Sequence, residues 1–285
     1  MGLFGFNYNK PGPGVREEDV PKEGIPLYFD IIRHRFFKLV GLNFLYFLVS
    51  LPAVIVYFYL SNAALYPVFE KIKVDIADEN MAVWTMFFLC SIMISLILTF
   101  AGTGPANAGT SYVLSAYVRH KHSWVVSDFF KSIKDNLLNS ILIFLLDAFF
   151  LFIIILDMNF YAKSLADSSF IVNTLMLMML LAYLIYILMH FWMYPLMVTY
   201  KMKFFDIIKM SFYLAIDNFL INLLLILAGL GLNIIFFSII YYAGLRFYVL
   251  LVALLYTFFQ LLGAVFIYPK IMKKVSGYEF KIDEV

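Results

Sequence analysis

The sequence predicts an all-α membrane protein, a polytopic bundle of six transmembrane helices with amphipathic helices on one face, and three observations predict it. The first is composition: of 285 residues, 64% are hydrophobic and only 14% charged, and the mean hydropathy is +0.89. Soluble domains average about 45–50% apolar and about 25% charged. Accessible surface grows so steeply with size that no soluble core could bury such an excess, so lipid is the expected solvent. The other two are a set of six long apolar runs and a lopsided distribution of lysine and arginine.

The runs cover 36–60, 81–103, 137–156, 170–194, 219–241 and 247–268. A hydrocarbon layer of about 30 Å takes about 20 apolar residues as a helix. Unpaired backbone groups are so costly in lipid that these runs should be helical, and the alternation of a membrane barrel is absent. A flexible arm over 1–27 precedes the membrane domain, 28–269, and a tail over 270–285 follows it.

Lysine and arginine set the orientation. Lys10, Arg16, Lys22, Arg33, Arg35 and Lys38 precede or open the first span; Arg119, Lys121, Lys131 and Lys134 follow the second; Lys201, Lys203 and Lys209 follow the fourth; Lys270, Lys273, Lys274 and Lys281 close the chain. Only Lys71, Lys73, Lys163 and Arg246 fall on the other side. The positive-inside rule then places both termini in the cytoplasm. A formal charge of +2 gives no general attraction to nucleic acid. The single cysteine, Cys90, excludes an internal disulfide and a cysteine metal cluster, and reads as a small apolar residue. The polar N-terminus lacks the apolar core of a cleaved signal, and Phe6 stands where myristoylation wants Ser or Thr.

Three segments share a layout in which a cytoplasmic amphipathic stretch enters an odd-numbered span: from Tyr28, from Ser127 and from Lys209. The last two align with Asn136 over Asn218. Each even-numbered span meets a proline, at Gly104-Pro105, Tyr194-Pro195 and Tyr268-Pro269, where a helix is expected to stop. The pattern suggests three parallel two-helix repeats. An Asp-Asn pair before a span is also what an N-terminal cap looks like.

The stretch from Gly102 to Asn136 is the expected principal cytoplasmic loop. Gly104, Pro105, Ala106, Ala108 and Gly109 form a junction with almost no side-chain bulk, suited to close helix approach. An anion site at a helix N-terminus is the alternative, but Gly109 is followed by Thr-Ser rather than the Lys of a phosphate loop. His120 and His122 with Asp128 have a spacing a metal could use, and the neighbouring Arg119 and Lys121 disfavour a divalent cation there. A basic cluster against anionic headgroups is the better reading. Trp124, Val125, Phe129, Phe130 and Ile133 then make an apolar stripe opposite Asp128, Lys131, Lys134 and Asp135, the pattern of an interfacial helix or a partner-docking surface.

These residues carry a resemblance. Leu51-Pro52, then Gly104-Pro105-Ala106-x-Ala108-Gly109, a short helix, a basic turn, and Trp124-x-x-x-Asp128-Phe129-Phe130-Lys131-x-x-Lys134-x-Asn136 resemble the YesL family of small bacterial integral membrane proteins. The resemblance is strongest over 100–145, and residues 53–103 separate two motifs that lie close together in typical members. It implies a bacterial plasma-membrane protein, often encoded beside carbohydrate importers of the ATP-binding-cassette (ABC) type. Accessory contact with such transporter subunits, and with the lipid bilayer, is the expectation; no cofactor is implied.

Within the spans, Asp147 falls near the expected bilayer centre, where a carboxylate is a functional candidate by default, although it also suits a buried hydrogen bond between helices. Asn43, Asn173, Asn222, Asn233, Gln260 and His190 are candidate members of an interior polar network, each alone suited to helix packing. His190, taken to lie near the cytoplasmic end of its span, is expected to be poorly placed for Asp147. The functional expectation is a non-enzymatic accessory or assembly component of carbohydrate uptake; the alternative is a small independent transporter or channel around Asp147. An enzyme is disfavoured, because HExxH, GxSxG and paired catalytic groups are absent from the sequence.

Overall fold

The computed structural model describes residues 22–75, 104–164, 170–243 and 245–281. The second expected span, Cys90 and most of the N-terminal arm lie outside the described residues. Among the described residues the chain is all-helical, apart from one isolated antiparallel bridge between Tyr200 and Phe280. The helices are α1 (Gly24–Asp75), α2 (Gly104–Val118), α3 (Val125–Asp135), α4 (Leu137–Ser164), α5 (Phe170–Thr199), α6 (Phe204–Asp217), α7 (Phe219–Ala243) and α8 (Leu245–Lys274). They overlay the expected runs at 36–60, 137–156, 170–194, 219–241 and 247–268. Among the described residues, Leu177–Thr199 alone is long and apolar enough to cross a membrane, and the bent pair α6–α7 would make a second such span.

Three breaks organise the bundle. α1 leaves helical dihedrals at Arg35 (φ −131°, ψ 22°), α3 gives way to α4 at Asn136 (φ −117°, ψ 12°), and α6 gives way to α7 at Asn218 (φ −117°, ψ 38°). All three sit in the sparsely allowed bridge region. Burial repeats in register around them. Four residues before each break lie Ile31, Ser132 and Leu214, four after lie Leu39, Ser140 and Asn222, and seven after lie Leu42, Ile143 and Leu225, all buried. The second residue after each break points outward instead: Phe37, Leu138 and Leu220 are 87%, 73% and 79% exposed. The third break turns the chain through 88°.

The most extensive helix contacts join α2 to α3, α5 to α6 and α8 to α1. Each entry segment thus packs on a proline-bearing helix, and the last helix of the chain packs on the first. The prolines are not stops: α5 runs past Pro195 to Thr199 and α8 past Pro269 to Lys274. A proline removes its own N–H and crowds the carbonyl four residues back, which does not prevent one further turn. In α5 that turn is tied by the Thr199 hydroxyl, which donates to the Pro195 carbonyl at 2.7 Å.

A second difference concerns the expected loop. Residues 104–118 form a helix buried along nearly its whole length, packed against α1, α3, α4, α5 and α8. Its small residues explain this. A Cβ on Gly104 would lie 1.9 Å from the Ser140 carbonyl oxygen, and one on Gly109 would lie 2.5 Å from the Phe129 ring. Ala106 and Ala108 are fully buried, and Ser132 donates to the Ala108 carbonyl at 2.9 Å. Pro105 stands in the first turn, where a missing N–H costs nothing.

Candidate functional site

The interior of the bundle holds the concentration of polar chemistry. α4 presents Asp147, and α5 presents Tyr186, His190 and Tyr194, four residues apart and therefore on one face. Asp147 accepts the Tyr186 hydroxyl through Oδ1, while its Oδ2 lies 3.4 Å from His190 Nε2, with both side chains buried. The Phe150 ring stacks on Tyr186 at 4.0 Å and closes the cluster on one side.

The pairing with His190 corrects the expectation that it lies too near a helix end. Asp147 is ten residues beyond Leu137, the start of α4, and His190 is nine before Thr199, the end of α5. At a rise of about 1.5 Å per residue both lie roughly 14 Å from the same end of the bundle. Taking Pro195 as a stop placed the histidine too shallow.

A cavity of about 80 Å³ opens beside this cluster, lined among others by Asn107, Ser111, His190, Tyr194, Tyr256 and Gln260. Gln260 donates to Asn107 Oδ1 at 3.0 Å, and Tyr268 donates to the Ser111 carbonyl at 2.5 Å. The Gln260 carbonyl oxygen is buried with no partner among the described residues. Nearby, Thr257 gives both its backbone N–H and its hydroxyl to Asn43 Oδ1, each at 2.8 Å, while the Asn43 amide nitrogen is buried with no partner among the described residues. Unpaired buried groups in an apolar bundle are what ordered water or a small polar solute would satisfy. Asn222 is different: it accepts from Trp192 Nε1 at 2.9 Å and donates to the Ala215 carbonyl at 2.8 Å, so it ties helices together. The side chains of Asn233 and Asn173 lie outside the described residues.

The expected docking residues separate into two groups. Phe129 is wholly buried against Gly109, so it anchors α3 and offers nothing to a partner. Asp128 accepts from the Ser123 hydroxyl at 2.7 Å and the Trp124 N–H at 2.9 Å, fastening the first turn of α3 in the manner of a capping box. Trp124, Val126 and Phe130 remain exposed, as do Lys131 and Lys134. Trp124 meets the His122 ring edge-to-face at 5.1 Å.

The basic turn is a helix terminus. His120 adopts φ 57°, its N–H bonds the Tyr117 carbonyl, and the Lys121 N–H bonds the Ala116 carbonyl at 2.8 Å, which is a Schellman motif with histidine in the glycine position. The Arg119 guanidinium bonds the Ser115 carbonyl at 3.3 Å, and Arg35 donates to the Lys121 carbonyl while lying 4.3 Å over the Tyr117 ring. Burial pushes the Tyr117 phenol up to about 12.

Asn107, Tyr186 and Tyr194 were missed by sequence reasoning, because Asn107 lies outside the expected spans and one tyrosine does not stand out among the chain's 20 until its neighbours are known. Among the described residues no group of three or more His, Cys, Asp or Glu is placed to hold a metal. The fold and the interior cluster define the class only as a helical bundle with a polar interior. Comparison of the chain with protein families, with curated proteins and with solved structures yields no match.

Proposed function

We propose that this is a multi-pass protein of a bacterial plasma membrane, of YesL type, built of three parallel two-span units with both termini cytoplasmic, and that it serves as a non-enzymatic accessory or assembly component of ABC-type carbohydrate uptake. The observation that carries the membrane reading is the outer surface. Phe37, Leu138 and Leu220 at the breaks, Leu145 and Phe149 on α4, Leu177, Met178 and Leu181 on α5, and Leu227 on α7 are large apolar side chains left exposed. Soluble monomers do not carry apolar surface of this extent. The bend at Asn218 supports an arrangement in which α6 lies in the headgroup layer with Phe205 and Ile216 exposed, and α7 enters the hydrocarbon. The carbohydrate context comes from the family resemblance, and the exposed Trp124 and Phe130 supply a surface on which a transporter subunit can seat.

Affinity purification from mild detergent tests the accessory role. Co-purification of an importer subunit is expected from the intact chain and is expected to fall when Trp124 and Phe130 are both replaced by Ser. Recovery of the chain alone removes the reading.

The cavity favours a second reading, a small independent transporter or channel whose path passes Asp147, Gln260 and Asn107. Solute uptake into proteoliposomes that survives Asp147→Asn unchanged removes its main support.

A further inference from the structure

We propose that the cavity beside the α3–α4 break binds a phosphate group, carried either on a lipid headgroup or on a soluble phosphate ester. This cavity, of about 260 Å³, is separate from the interior one and is walled by Lys131, Lys201, Lys281, Tyr112, Asn136 and the carboxylate of Asp135. The three lysines come from three parts of the fold: α3, the α5–α6 connection and the C-terminal tail.

The tail is held in place to deliver its lysine. Lys201 N–H bonds the Glu279 carbonyl at 2.9 Å and Lys281 N–H bonds the Thr199 carbonyl at 2.9 Å, so residues 279–281 run antiparallel to the end of α5. Phe280 packs on the Tyr200 ring at 4.6 Å. The Lys281 ammonium then reaches inward to Asn136 Oδ1 at 2.7 Å and the Met197 carbonyl at 3.1 Å. Both acceptors are neutral, and an ammonium has three donors. Burial holds this ammonium below the ordinary lysine value, Lys201 adds to the depression, and Asp135 opposes it. A cation so placed lacks a full counter-charge, because Asp135 is the one carboxylate in a lining that holds three lysines, and Glu279 pairs with Lys201 at 3.5 Å.

A tetrahedral anion meets several lysines at once, and lysine binds phosphate as a point charge without demanding the planar fork that carboxylates share with arginine. Basic pockets between helices on a cytoplasmic face take phosphate headgroups in this way. A phosphate here would tie α3, the α5–α6 connection and the tail together across the break. The proposal stands apart from the uptake role suggested above.

The test uses the full chain in neutral detergent and two probes: inorganic phosphate by calorimetry, and phosphatidylglycerol against phosphatidylcholine by retained-lipid analysis. Lys131 and Lys201 are exposed, so Lys131→Gln with Lys201→Gln should leave the fold intact; Lys134→Gln with Lys203→Gln is the matched control outside the cavity. At least tenfold weaker binding in the first pair, with the control unchanged, supports the site. Response to inorganic phosphate identifies a soluble ester, and response to phosphatidylglycerol alone identifies a headgroup. Absence of saturable binding with either probe, or equal loss in both pairs, overturns it.

Discussion

Asn136 and Asn218 make the same four bonds in two different parts of the chain. Each gives its backbone N–H and its side-chain amide to the carbonyl four residues earlier, Ser132 in one case and Leu214 in the other, at 2.9 to 3.1 Å. Each carbonyl oxygen accepts from the helix that follows, through Ser140 and Asn222. Each side-chain oxygen accepts a lysine from the C-terminal part of the chain, Lys281 for Asn136 and Lys274 for Asn218. The asparagines therefore close the preceding helix and are not the forward N-terminal caps that Asp-Asn before a span suggests. An aspartate could not replace them, because the bond to the preceding carbonyl needs an amide donor.

Asn136→Ala should cost about 1–3 kcal/mol, because it removes the side-chain bond to Ser132 and leaves the half-buried Lys281 ammonium with the Met197 carbonyl alone among the described residues. Asn218→Ala should cost less, since Lys274 keeps its pairing with Asp217. Thermal unfolding in detergent ranks the two, and the reverse order contradicts the account of the breaks.

The glycines of α2 differ from one another in a way that unfolding can read. Gly104→Ala meets backbone, the Ser140 carbonyl, and should destabilise strongly, by more than about 2 kcal/mol, whereas Gly109→Ala meets a ring that can shift and should cost less. Gly41→Ala, which meets nothing within 4 Å, should be neutral or stabilise by up to about 1 kcal/mol through helix propensity.

His120→Gly should raise stability by about 1 kcal/mol, because the position is left-handed and glycine occupies that region without a Cβ penalty. The unchanged helical circular dichroism of such a variant, with a higher melting temperature, is the expected result. A lower melting temperature would show that the His120 side chain contributes more than its backbone costs.

Asp147→Asn should retain one bond to Tyr186 and fold, while Asp147→Leu leaves the Tyr186 hydroxyl and His190 buried without that partner and should cost roughly 2–4 kcal/mol. If Leu is tolerated as well as Asn, the cluster is not a coupled network.

The pH dependence of the Lys281 junction has a definite sign. With its folded value depressed, the folded state binds fewer protons than the unfolded one between that value and the ordinary lysine value near 10.4, so stability rises with pH across this window. Melting temperatures of the parent and Lys281→Met, compared from pH 8 to 10, should converge or cross in favour of the parent. Parallel curves would refute it.

Sequence alone determined the helices that cover 36–60, 137–156, 170–194, 219–241 and 247–268, because apolar runs of this length and the turn residues between them depend only on local chemistry. It also determined the three entry segments, whose alignment at Asn136 and Asn218 is an identity of residues. The candidate site was legible in part: Asp147, His190 and Gln260 announce themselves as polar residues in apolar runs. Their company was not legible, since whether His190 reaches Asp147 depends on α5 continuing past Pro195, and a proline in a sequence does not say whether one more turn is paid for by the contacts around it. The same limit applied to residues 104–118. The small residues read as a close-packing junction, but what they pack against and that the helix is buried along nearly its whole length were decided by the approach of Ser140 and Phe129. Likewise the stripe on α3 fixed an amphipathic helix, but the division of its residues into a buried Phe129, a capping Asp128 and an exposed Trp124 was decided by what packs against it. Periodicity is a property of one segment; burial is a property of two.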